Sequence, residues 1–363
     1  MSADVPVAAR APLLVLAFAS LFVGLAAGLT RLGWSFPAPV AELAALHGPL
    51  MACGFFGTVI SLERAVALSQ RWGYFGPLLT GLGAAAGILG APYAIAPILV
   101  ATGSAVLLAA SAEFYRRQRE LFTLTLALGA ACWVLGNLLW LAGLPVYQAV
   151  PFWIGFLVLT IAGERLELSR VLPPSPVARR VFVATIVVLL AGIALSAFAW
   201  TAGTLLLGAG LLALSLWLMR QDVARRTVKG RGLPRFIAVC LLTGYAWLAL
   251  SGFAILVSGG LGYGGADYDA ALHAVLLGFV FSMVFGHAPI ILPAVLRVAV
   301  PYTPYFYLPL ALLHVSLLIR LTGDWMILPE WRTWGGALNG IALIAFVLGI
   351  ITAVARGLWE NSR

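Results

Sequence analysis

Of the chain's 363 residues 62% are hydrophobic and only 10% charged, too few polar groups to cover a water-soluble globule of this size. The net charge of +9 comes from short basic clusters set between long apolar runs, a pattern of membrane topology and not of nucleic-acid binding. Three cysteines, Cys53, Cys132 and Cys240, fall in the middle of apolar runs, so there is neither a disulfide framework nor a Cys-x-x-Cys metal spacing.

Each apolar run is about 20 residues long, enough to cross the hydrocarbon core of a bilayer. None alternates polar and apolar residues, as a transmembrane barrel strand would. The runs predict an all-α polytopic membrane bundle of twelve helices, at 11–31, 41–62, 75–92, 94–113, 121–143, 148–163, 181–200, 202–218, 236–257, 270–292, 305–321 and 334–355. The chain is thus expected to be a single membrane domain, 1–363. Arg10 ahead of the first run imitates a signal peptide, but further spans follow directly and no cleavage site is evident, so the run is expected to be retained. Of the 22 Arg and Lys residues, all but Arg31, Arg320 and Arg332 fall on one side if both termini are cytoplasmic. The positive-inside rule then predicts that orientation in a bacterial cytoplasmic membrane.

A pattern recurs along the chain. The second helix carries Gly54-Phe55, with Glu63 nine residues after the glycine. The sixth carries Gly155-Phe156 and, at the same spacing, Glu164; the tenth carries Gly278-Phe279 and His287. Arg64 and Arg165 follow the two glutamates. The spacing suggests three units of four helices, roughly 1–118, 119–234 and 235–363, with Glu63, Glu164 and His287 at one depth near the inner face.

The four histidines, His47, His273, His287 and His314, all lie inside predicted spans. Ionisable groups at membrane depth face a cavity, a partner or a cofactor, and imidazole is a common ligand of metals and haem iron. A histidine can equally well hydrogen-bond across a helix interface. His47 and His273 are both expected at the outer level, where two helices could clamp a haem iron from both sides. His287 lies 14 residues beyond His273, about 21 Å along a helix, too far to share its metal. His314 returns to the depth of His287 across a turn marked by Pro301 and Pro304. A second, inner metal site of His287 and His314 with Glu63 and Glu164 is therefore a further expectation, for iron, copper or zinc.

Twelve helices in three arcs, with histidines on the second and tenth, resemble the plan of the heme-copper oxidase catalytic subunit. Closer is a resemblance to the NnrS family of haem- and copper-containing membrane proteins linked to nitric oxide stress. It rests on His47, Met51 and Gly54-Phe55, and on Ala271-Leu-His273-Ala, Gly278, Met283 and Gly286-His287. The resemblance implies haem b held by His47 and His273, redox chemistry or nitric oxide handling, and a quinol or separate redox protein as partner. The sixth and seventh helices carry no histidine, so the binuclear centre of an oxygen or nitric oxide reductase cannot be built. Two other classes fit the composition: a transporter or metal permease, and a non-haem metal enzyme using Glu63, Glu164, His287 and His314.

Overall fold

A computed structural model describes residues 4–169 and 174–361, with side chains to residue 360. Among them there is no strand, and twelve long helical segments follow one another. They are α1 (Ala11–Arg31), α2 (Ala38–Leu68), α3 (Phe75–Ile88), α4 (Ile95–Arg117), α5 (Leu121–Leu141) and α6 (Val146–Leu168). Then come α7 (Pro176–Ser196), α8 (Trp200–Gln221), α9 (Gly232–Val257), α10 (Ala266–Leu296), α11 (Tyr307–Trp325) and α12 (Pro329–Asn361). Eleven are long and apolar enough to cross a membrane; α3 is the exception, its 14 residues rising only about 21 Å. The protein is an all-α, multi-pass membrane protein.

The ends follow local chemistry. Gly90, at φ +70°, closes α3 one residue before Ala91-Pro92, where the sequence predicted a break. The Ser175 side chain caps α7 by accepting from the Ala178 N–H, and Glu120 and Thr123 form a capping box at the start of α5. The sequence placed the ends of α2 and α6 too early. Both helices run several residues past Glu63-Arg64 and Glu164-Arg165, so these residues lie within helices and not at their termini.

The chain forms two compact units. The first comprises Met1–Gly163 with Val295–Arg297, and the second Glu164–Ala294 with Val298–Arg363. Within the first, α1 packs on α2 and α3, and α3 packs on α4 through Gly76, Thr80 and Gly103. A Cβ on Gly103 would stand 2.9 Å from the Gly76 carbonyl, so the backbones meet there directly. Arg10 is buried and ties the start of α1 into this unit: Nη1 donates to the Val295 carbonyl at 2.9 Å and Nη2 to Asp4 Oδ2 at 2.6 Å. The Tyr74 hydroxyl donates to the other Asp4 oxygen at 2.7 Å. Burial works against the Asp4 charge, yet Tyr74, the Val5 N–H, Arg10 and Arg297 outweigh it and hold the carboxyl below its ordinary range.

In the second unit α7 packs on α8, α8 on α9, α9 on α10 and α11 on α12. Phe285 of α10 stacks on Phe346 of α12 with ring centroids 3.8 Å apart. Large apolar side chains such as Val187, Phe198, Val315, Leu318 and Ile351 point outward, as expected of helices that face lipid.

Candidate functional site

The helices bearing His47 and His273 share an unusual backbone. In α2 the residues Leu50–Gly57 form a π-helical stretch, and in α10 Ala274–Phe281 form another. Each is eight residues long and each carries its Gly-Phe pair at the fifth and sixth positions. π-helical turns are rare and gather at functional sites. The α6 counterpart, Gly155-Phe156, sits in ordinary α-helix with Pro151 inside it.

His47 lies just before the α2 stretch. Its ring is half-buried and rests on α1, where a Cβ on Gly28 would fall 2.7 Å from its Cε1 and Nδ1. One turn away, Gly24 makes room for Met51 and offers its carbonyl to His47 Nδ1 at 2.8 Å. A carbonyl only accepts, so Nδ1 carries the proton and Nε2 the lone pair.

His273 is arranged in the same sense, in the first turns of α10. Its Nδ1 donates to the Asp269 carbonyl at 2.8 Å, and the Asp269 carboxylate lies 3.3 Å from the same nitrogen. That carboxylate is held by Arg320, whose Nε and Nη2 donate to its two oxygens at 2.9 Å each. Arg332 lies 3.7 Å from Asp269 and 2.9 Å from the buried Asp324 carboxylate. An imidazole whose Nδ1–H is fixed by a carbonyl or carboxylate presents an oriented, more basic Nε2, the usual outer shell of a metal-ligating histidine.

His287 repeats the tautomer. Nδ1 donates to the Met283 carbonyl at 2.6 Å, and Nε2 is buried with no hydrogen-bond partner among the described residues. Arg165, Glu164 and Asp222 lie within electrostatic reach of the ring. Pro289 and Pro293, both inside α10, leave carbonyls one turn earlier without their helical donors. Glu164 is half-buried on α6 in the second unit. Glu63 is half-buried on α2 in the first unit.

His314 differs from the other three in its hydrogen bonding. Trp247 Nε1 donates to its Nδ1 at 2.9 Å, so its proton sits on Nε2 and is given to Thr243 Oγ1 at 3.0 Å. The Thr243 hydroxyl passes its own proton to the Val239 carbonyl at 2.7 Å. Both ring nitrogens are used in joining α11 to α9. Among the described residues no group of three or more His, Cys, Asp or Glu side chains is arranged to hold a metal ion.

Several polar partners were not picked out from the sequence. Cys53 donates its S–H to Asn137 Oδ1 at 3.2 Å and accepts from Trp133 Nε1 at 3.4 Å, while Trp153 Nε1 donates to the same Asn137 oxygen at 3.0 Å. The thiol is therefore part of a buried hydrogen-bonded chain and not merely packing. The Gly24-x-x-x-Gly28 spacing was a visible signal for the His47 seat; Asp269, four residues before His273, was another.

No curated protein and no solved structure matches the chain. The profile of one family matches residues 10–355, and the chain belongs to that family, described as a domain of unknown function (DUF8744).

Proposed function

We propose that the protein is a haem-binding integral membrane protein that works in redox chemistry or nitric oxide handling. The observation that supports this most is the shared tautomer of His47 and His273. Each gives its Nδ1 proton to a main-chain carbonyl, and each adjoins a π-helical stretch. Each is an axial-ligand candidate on this ground, His273 with the added support of an arginine-held carboxylate. A bound haem b would supply electron transfer, with ligand basicity and burial setting its potential. Electrons would come from a quinol in the membrane or from a separate redox protein. The resemblance to the NnrS family and the heme-copper oxidase plan agrees with this reading, which puts the protein in a bacterial cytoplasmic membrane with both termini inside.

The test is an absorption spectrum with metal analysis of the purified full-length protein. A Soret band, altered by His47→Ala and by His273→Ala while expression persists, supports the assignment. A colourless preparation, or a spectrum indifferent to both substitutions, overturns it. The second reading is a transporter, favoured by the buried ionisable residues Arg165, Asp222 and Tyr245 inside the second unit. It predicts a colourless protein.

A further inference from the structure

At one end of the second unit the chain gathers positive charge that the haem reading leaves unused. The connection from α8 to α9 and its borders hold six cations, Arg220, Arg225, Arg226, Lys229, Arg231 and Arg235, against one acid, Asp222. The cations are exposed, while Asp222 is buried and turned inward. The Tyr245 hydroxyl of α9 donates to Asp222 Oδ2 at 2.6 Å, and the Ala224 N–H donates to Oδ1 at 2.7 Å. Asp222 thus pins the connection to α9 and engages its carboxylate away from the neighbouring arginines. The connection is folded: Ala224–Thr227 is a short helix, the Gly230 N–H donates to the Thr227 carbonyl at 3.0 Å, and Arg225 Nη1 donates to the Arg220 carbonyl at 3.1 Å.

Two more exposed cations, Arg179 and Arg180, adjoin the same end at the start of α7. Trp217, near the end of α8, joins the two places. Its Nε1 donates to the Ala178 carbonyl at 2.8 Å, and its ring centroid lies 4.7 Å from that of Phe182. Among the described residues none of these eight cations forms an ion pair. Membrane topology alone does not ask for that. Arg116 and Arg117, at the end of α4, belong to the same basic asymmetry, yet Glu113 holds them at 2.8 and 2.7 Å. Like charges crowded on short helical turns repel, and an anionic partner relieves the repulsion. Exposed Val177, Val181 and Leu216 border the cations on the same helices, so the partner is charged at one level and apolar at the next. A soluble polyanion meets only the first condition. A phospholipid with an anionic headgroup meets both.

We propose that this end of the second unit selects phospholipids of net negative headgroup charge over zwitterionic ones, its arginines and lysine engaging the phosphate oxygens. Each Lys or Arg beside an anionic lipid surface contributes about fivefold in affinity. The test gives full-length protein, in a neutral maltoside, equal amounts of phosphatidylglycerol and phosphatidylcholine, and counts the retained lipids by native mass spectrometry. Phosphatidylglycerol is expected to be preferred at least about tenfold, and less so as ammonium acetate rises from about 0.1 to about 1 M. Arg225→Gln, Arg226→Gln and Lys229→Gln together should lower the preference at least about fivefold. Arg225→Lys with Arg226→Lys, which keeps the charge, should retain most of it. Arg116→Gln with Arg117→Gln should leave it unchanged, since Glu113 already engages those side chains. If the triple variant does not fold, Arg226→Gln and Lys229→Gln are read singly, each expected to weaken the preference about fivefold. Glycerol 3-phosphate in large excess separates a lipid from a free phosphate and should not displace the lipid. A colourless preparation, which defeats the haem reading, leaves this test unaffected. Equal retention of the two lipids, a preference that survives the glutamine substitutions or falls equally in the Arg116–Arg117 variant, or displacement by glycerol 3-phosphate overturns the proposal.

Discussion

Asp269 makes the sharpest separation between holding the fold and holding His273. Its side chain takes two charge-assisted hydrogen bonds from Arg320, while its main-chain carbonyl takes the His273 proton. Asp269→Ala removes the first function and keeps the second. The Arg320 side chain is 9% exposed and the Asp269 side chain 15%, so the pair is largely out of water. Breaking such a pair from one side costs about 3–5 kcal/mol, because the remaining charge stays buried without its partner. Asp324 lies close to Arg332 in the same cluster and can take up part of the deficit, so about 3 kcal/mol is the expected loss.

Reversible unfolding in mixed micelles, followed by far-ultraviolet circular dichroism, would measure that loss. Nitrogen-15 spectra of histidine-labelled protein would report the tautomer in parallel. The imidazole of His273 should keep its proton on Nδ1 in Asp269→Ala, since the carbonyl that fixes it is untouched. A loss under about 1 kcal/mol would refute the claim that the ion pair is effectively buried. A change of tautomer would show that the carboxylate, 3.3 Å from Nδ1, and not the carbonyl, sets it.

The same labelled spectra should show His47, His273 and His287 as Nδ1–H tautomers and His314 as Nε2–H, with four single substitutions giving the assignments; any other three-to-one division contradicts the hydrogen bonding described. Gly28→Ala, which sets a Cβ 2.7 Å from two atoms of the His47 ring, should cost about 1–3 kcal/mol in the same unfolding assay and perturb the His47 resonances, and unchanged resonances would mean that the ring does not rest on α1. Asp4 titrates below its ordinary 3.8, so its contribution to stability should be complete above that value and vanish as the pH falls through the lower folded value. Asp4→Asn should remove that part of the acid-side slope, and identical slopes in the two proteins would count against the Arg10–Tyr74 cluster.

The fold was legible because spans are written in long apolar runs, and eleven of the twelve segments need nothing more than length and hydropathy to be found. Helix ends were less so: Glu63-Arg64 and Glu164-Arg165 are charged pairs, which hydropathy takes for an exit from the membrane, yet Arg165 is buried inside its helix. At the site, spacing identified the residues and not their bonding. That His314 differs from the other three depends on Trp247 and Thr243, which are 67 and 71 residues away and reach it only through tertiary packing. The Nδ1 partners of His273 and His287 lie four residues upstream on the same helix and were open to sequence reasoning.

The two π-helical stretches sharpen the repeat and also limit it. Aligned on their Gly-Phe pairs, α2 and α10 agree over all eight π-helical positions, and Glu63 falls opposite His287 as the nine-residue spacing requires. His47 and His273 do not follow suit. Ala271 stands opposite His47, and Pro49 opposite His273, so the two imidazoles are displaced by two residues, about 200° of helical turn. They are therefore not equivalent members of a repeated unit, and their different supports agree with this. His47 gives its proton to a neighbouring helix across a glycine face, whereas His273 gives its proton to its own helix beside an arginine-held carboxylate. Their common tautomer was reached by separate local means.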